Sequence, residues 1–185
     1  MPESAPPPAT LSGRSLAEIA AAAARPTPPV DRWDPPYCGD SGMRIARDGT
    51  WYHDGAPIRR PAMVRLFAGL LRREPDGGHV LVTPVEKLAI TVEDAPFVAV
   101  ELMSEGTGAA RRLAFRLNTD VPVVAGPDHP LTIDRDGRPR LRVRPGIDAS
   151  IARPVYYELA ALALDEGAEP AGLWSDGCFF RLDAA

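Results

Sequence analysis

Arg138, Arg140, Arg142 and Arg144 alternate with Pro139, Leu141 and Val143, so four guanidiniums share one face of a strand. Guanidinium forks match pairs of phosphate or carboxylate oxygens, which makes this row the best anion-binding arrangement in the chain. A blander use stands beside it: a solvated face or charge-protected edge strand, with Asp134, Asp136 and Asp148 near enough in sequence to neutralise it. Arg144, beside Pro145-Gly146, is the member assigned to a ligand. Glu86 and Lys87 follow Pro84 at the start of a strand. Their carboxylate would accept from a hydroxyl or base and their ammonium would meet a phosphate; otherwise they form a surface ion pair of little weight. Asn118, Thr119 and Asp120 end another strand, as turn formers or as polar contacts to a ligand. His129 sits on a proline-rich connection, where it is a base or a structural hydrogen-bonding group. Tyr157, the freer of two adjacent tyrosines, could stack on a base, whereas helical spacing sends Tyr156 into the core with Leu159 and Ala163. The candidate ligand-binding set is therefore Glu86, Lys87, Asn118, Asp120, His129, Arg144 and Tyr157.

No catalytic set emerges. His53, His79 and His129 have no metal-ligand spacing with Cys38 or Cys178, and no phosphate-cradling glycine loop or nucleophile elbow is present. No cofactor is indicated. A hydrolase using Glu86 or Asp120 with His129 is the enzymatic alternative, and it requires those side chains to meet in one pocket.

The 185 residues suffice for one domain or two small packed units. A net charge of −4 argues against a general nucleic-acid or anionic-membrane binder. No apolar run approaches the roughly 20 residues of a membrane helix, and the first residues lack a secretory leader's basic start and oily centre. Two cysteines far apart suit ordinary thiols, so a cytoplasmic protein is expected.

The elements that must hold these residues are organised around residues 79–102, which predict three strands at 79–83, 87–92 and 97–102, with a turn at 93–96. A helix over 61–73, opened by Pro61 and carrying Met63, Leu66, Phe67, Leu70 and Leu71, is the expected lid on their oily face. Upstream, residues 1–13 read as disordered. Ser15 to Glu18 has the form of a capping box for a short helix, and residues 30–40 form an extended clasp carrying Trp33 and Tyr37. Asp48-Gly49 turns a hairpin within 43–53. Downstream come a strand over 111–117, a linker over 121–130, a hairpin over 131–143, a helix opened by Pro154, and a last hairpin turning at Asp176-Gly177. The division expected is an arm (1–29), a first α+β unit (30–120), the linker (121–130) and a second α+β unit (131–185).

Ile45 to Gly49 and Ile133 to Gly137 share four of five residues, and Arg60-Pro61 and Arg153-Pro154 each open a helix at nearly the same remove. Chance recurrence of Asp-Gly turns is one account. The other is an internal duplication: two related units, each an antiparallel sheet with one helix, whose seam would form a cleft.

Residues 36–40 (PYCGD), 81–87 (LVTPVEK), 92–97 (VEDAPF), 129–131 (HPL), 154–159 (PVYYEL) and 174–180 (WSDGCFF) resemble the bacterial domain-of-unknown-function family 1285 over about residues 30–183. The resemblance implies two related halves, the second similar to a pleckstrin-homology-like barrel. It also implies a site between them suited to a nucleotide-like ligand, and a link to signalling. The expected function is a regulator that binds a small anionic ligand at the interface; a protein–protein adaptor without small ligand is the other non-enzymatic reading.

Overall fold

The structure, a computed structural model, describes residues 10–23 and 27–182. It is an α+β fold of two six-stranded sheets with helices. Helix α1 (Leu16–Ala23) precedes the first sheet, which comprises β1 (Tyr37–Ile45), β2 (Trp51–His53), β3 (Ala56–Pro57), β4 (Leu71–Arg73), β5 (His79–Val82) and β6 (Lys87–Val92), with α2 (Pro61–Leu70) between β3 and β4. The second sheet holds β7 (Phe97–Glu105), β8 (Arg112–Leu117), β9 (Pro122–Val124), β10 (Leu131–Ile133), β11 (Pro139–Arg144) and β12 (Ile147–Ile151). Helix α3 (Arg153–Glu166) and the separate hairpin of β13 (Gly172–Ser175) and β14 (Cys178–Arg181) complete it.

The first sheet runs β3-β2-β1-β6-β5-β4 and the second β10-β11-β12-β7-β8-β9. Within each triplet the strands are antiparallel, as short connections require, and the two triplets meet in one parallel pair, β1 with β6 and β12 with β7. Several expectations are corrected here. Residues 79–102 do not form one sheet: β5 and β6 lie in the first and β7 in the second. Residues 93–96 are a crossing rather than a hairpin turn, because both sheets hold them. The Glu93 N–H donates to the Ile45 carbonyl (3.0 Å) and its carboxylate pairs with Arg44, while Asp94 is gripped by Arg140 of β11.

The expected linker contains β9, paired with β8, so the strands on either side of residues 121–130 belong to one sheet. Strand β12 was not expected at all. Its Ile147 and Ala149 are buried, and it pairs with β11 on one side and Phe97 to Ala99 of β7 on the other, which joins the two triplets of the second sheet. Helix α2 stops at Leu70 rather than 73, because Leu71, Arg72 and Arg73 pair with β5. Strand β1 begins already at Tyr37, whose side chain is 61% exposed and clasps nothing.

Helix α1 starts on the expected capping box: Glu18 N–H donates to Ser15 Oγ (3.2 Å) and Ser15 N–H to Glu18 Oε2 (2.7 Å). The Ser15 backbone hydrogen bond, with the hydroxyl behind it, holds the Glu18 carboxyl below its ordinary range. Ile19 and Leu11 are buried with Ala114 of β8, so the disorder expected over 1–13 fails at Leu11; residues 1–9 lie outside the described residues. In α3 the buried face is Val155, Leu159 and Ala163. Tyr156 is 42% exposed rather than in the core, since Val155, one residue back, takes the inward position.

One continuous core joins Met43, Ile45, Trp51 and Leu71 of the first unit to Phe97, Leu113, Phe115 and Leu141 of the second. The two sheets thus share one core, and within the first unit Phe67 of α2 stacks on Trp51 (6.5 Å between centroids). Their strands leave space along that seam.

Candidate functional site

A cavity of about 390 Å³ opens between α2, the second sheet and the N-terminal residues Ala23, Thr27 and Pro28. Ala68 and Gly69 form one wall, Phe97, Leu117 and Val123 the other, and Arg65, Thr119, His129 and Arg144 bring polar groups to it. A smaller notch of about 240 Å³ lies beside it, where the β1–β2 turn and the start of α2 face the β8–β9 turn; it shares Arg65 and Thr119 with the larger space. Apolar walls with a few convergent polar groups, at a junction of two units, are the usual make-up of a small-molecule site.

Three of these four polar groups, Arg65, His129 and Arg144, already have partners. Arg144, at the end of β11, reaches across the seam and donates to the Ala68 and Leu71 carbonyls, both at 2.7 Å. It thereby caps the C-terminus of α2, which has no basic residue in its own last turn. Burial pushes its pKa down, and Asp31 opposes that only in part. His129 Nδ1 hydrogen-bonds the Arg142 carbonyl (3.1 Å); because a carbonyl only accepts, Nδ1 carries a proton, and Nε2 has no hydrogen-bond partner among the described residues. Asp120, in the left-handed region at φ 61°, holds Arg116 on one oxygen (3.2 Å) and Arg65 on the other (3.4 Å). Thr119 is 3% exposed and its hydroxyl has no partner among the described residues.

Asn118 ties the units together. Its Oδ1 accepts from the Val98 N–H and its Nδ2 donates to the Gly49 carbonyl, each at 3.1 Å. Gly49 stands at φ 84°, and a Cβ there would overlap Asn118 Nδ2 and come within 2.9 Å of Val98 Cγ2. Gly49→Ala should therefore lower stability by about 2 kcal/mol through left-handed backbone and contact strain, read by urea unfolding. Asn118→Ala in the same background should then cost less than it does alone, because the crowded amide is gone.

The expected site residues divide. Arg144 and His129 reach the larger cavity, and Asn118 and Asp120 the notch. Glu86 is exposed at the rim of a third space, about 360 Å³, enclosed by α2 and the first sheet alone. Lys87 is not at the seam: its ammonium pairs with Glu74 (3.0 Å), which also takes Arg72 (2.7 Å), and Arg72 donates to the Val30 and Trp33 carbonyls. Burial raises the Glu74 pKa, but the bonds from Lys87 and Arg72 outweigh it and the net direction is down. Tyr157 lies 61% exposed on α3, away from both seam spaces. Glu86, Asp120 and His129 line three different spaces. The arginine row is paired residue by residue: Arg138 with Asp134 and Asp136, Arg140 with Asp94 and Asp134, Arg142 with Asp148. Arg65, which lines both seam spaces, was not foreseen. Arg65 falls on the polar side of the α2 periodicity, which reads as solvent until a second sheet stands opposite.

Two family models together match residues 28–182: "Domain of unknown function (DUF1285), N-terminal domain" over residues 28–95 and "Protein of unknown function (DUF1285), C-terminal domain" over residues 96–182. The chain belongs to the DUF1285 family. The boundary between the two DUF1285 models falls in the crossing between β6 and β7, where the sheets themselves divide. The crystal structure of a DUF1285 family protein from Silicibacter pomeroyi DSS-3 is 44% identical, with 92% of this chain and 94% of that one covered at a TM-score of 0.78. A DUF1285 family protein from Shewanella baltica OS155, 23% identical over 66% of this chain and 92% of that one, shares the fold at a TM-score of 0.54. No curated protein matches. Among the described residues of this DUF1285 chain, no helix is long and apolar enough to cross a membrane.

Proposed function

We propose that this protein is a cytoplasmic ligand-binding regulator that takes a small anionic, nucleotide-like molecule in the seam between its two units. The observation that carries the reading is the 390 Å³ cavity whose apolar walls come from both units and whose polar groups, Arg65, Thr119 and His129, come from α2 and the second sheet. A ligand there would touch both halves and so stabilise one relative arrangement of them, which is what a regulator needs. The same reading includes a duplicated unit. Its support is the strand order: numbered from its own first strand, each sheet runs 3-2-1-6-5-4 with one central parallel pair. The short repeat at 45–49 and 133–137 does not supply that support, because it joins central β1 to β2 in one sheet and edge β10 to β11 in the other. A pleckstrin-like second unit is in keeping with the helix that follows its six strands.

Thermal-shift screening against nucleotides and related anions tests the reading. At a hundredfold excess over Kd, a true ligand adds about 2.7 kcal/mol of stability. The shift should fall in His129→Ala and persist in Lys87→Ala, whose ammonium belongs to the Glu74 pair. Equal shifts in both variants, or none across a broad panel in the parent protein, would discard the site.

A further inference from the structure

We propose that α3 carries a docking face for a second copy of this chain, the two helices packing antiparallel about a two-fold axis near Ala160 and Ala161. The buried stripe of α3 is Val155, Leu159 and Ala163. Half a turn round, where a helix covering a sheet ordinarily turns charged side chains to water, stand Tyr157, Ala161 and Leu164, at the spacing of one helical face. Tyr157 is 61% exposed, and Leu164, at 81%, is the most exposed of the large apolar side chains described. The helix is thus apolar on two sides, and its own chain covers one of them. Beside Leu164 runs a groove of about 650 Å³ between α3 and residues 167–171, with Ala160, Ala163 and Ala168 among its lining.

Charge complementarity selects the occupant. A helix dipole favours acids at the N-terminus and bases at the C-terminus. Helix α3 is charged the other way. Arg153 is its first residue and its first turn holds no acid, while Asp165 lies in a last turn without a base and Glu169 follows. Among the described residues Arg153, Asp165 and Glu169 have no ion-pair partner in their own chain. Laid antiparallel on a second α3, each Arg153 meets the end that carries Asp165 and Glu169, and the two dipoles oppose. A parallel pair would set Arg153 against Arg153. The antiparallel turn-over also places Tyr157, one turn before the axis, opposite Leu164, one turn after it, so the projecting ring of one copy enters the groove of the other. An isologous contact needs knob and hole on the same surface, and α3 has both. Small side chains at Ala160 and Ala161 let the helix axes approach to about 8 Å. No residue of α3 lines either seam space, so this contact is independent of the ligand reading.

One helix face with one groove falls in the small class of interface, below about 1,200 Å² in total, whose complexes are weak and reversible. The test is sedimentation equilibrium of the whole chain from about 1 μM to about 1 mM, where a monomer–dimer equilibrium should appear. Leu164→Glu and Arg153→Glu, each at an exposed side chain, should keep the far-UV circular dichroism of the parent and weaken the dimer at least about tenfold. Arg153→Glu puts an acid at the helix start, so the monomer itself should be no less stable to urea. The charge swap Arg153→Glu/Asp165→Arg/Glu169→Arg should recover the dimer to within about threefold of the parent. A parent chain monomeric throughout overturns the self-contact and leaves the face to a different protein. A dimer indifferent to Leu164→Glu lies on another surface and overturns it too. Weakening by both single variants without recovery in the swap overturns the antiparallel pairing.

Discussion

Replacing Arg140 with Met should lower stability at pH 7 by about 4 kcal/mol, the range for stripping one partner from a buried ion pair. The Arg140 guanidinium, 11% exposed, donates to both oxygens of Asp94 (2.6 and 3.1 Å) and to Asp134 (3.0 Å). Asp94 sits in the crossing between the sheets, so this one side chain pins the first unit to β10 and β11. Without it, Asp94 is left largely buried with Arg138, 46% exposed, at 4.0 Å, while Asp134 keeps only Arg138, at 3.2 Å, as its cation. The pH dependence follows. Hydrogen bonds from Arg140 hold the Asp94 pKa below its ordinary 3.8. The parent protein therefore has this contribution in full above pH 3.8 and loses it as pH falls through the lower folded value. In Arg140→Met the carboxylates lose the group that favoured ionisation, so acid should relieve the variant as it protonates them. Urea unfolding at pH 7 and pH 4 should show the deficit shrinking at pH 4. A deficit equal at the two pH values would mean that the loss is of packing rather than of charge.

The second large effect is expected at Arg144. Arg144→Met removes two charge-assisted hydrogen bonds across the seam and leaves the Ala68 and Leu71 carbonyls without their cap. The expected loss is about 3 kcal/mol, or roughly 6–12 °C in Tm for a chain of this size. Arg144→Lys should recover less than half of it, because a point ammonium on a flexible stem does not hold two carbonyls as a rigid fork does. Hydrogen exchange should locate the damage at the end of α2 and in β4. Protection unchanged there would show that the helix end is held by something other than this guanidinium.

Much of the local structure was legible in the chain because its causes are local. Ser15 and Glu18 cap each other within one turn, Pro61 and Pro154 start helices because they need no N–H, and the period-two runs of β6, β8 and β11 mark their buried faces. Arg144 was legible as a seam residue because it ends a strand at a Pro-Gly turn. Its use as a helix cap was not, since the carbonyls it meets lie more than seventy residues earlier in the chain. Strand β12 escaped because Ile-Asp-Ala-Ser-Ile is short and three of its five residues are small or polar; it is held between β11, just before it in the chain, and β7, about fifty residues earlier. Lys87 looked like a ligand group because a sequence displays a charge without its counter-charge, and Glu74 comes to it through the β4–β6 fold. Sequence by itself determined which residues turn, cap and alternate. Tertiary structure alone decided which polar side of α2 faces a second sheet, and so which arginines stand at a cavity rather than in water. Sequence periodicity reports the face a helix buries against its own sheet, and carries no signal for a surface that another unit later covers.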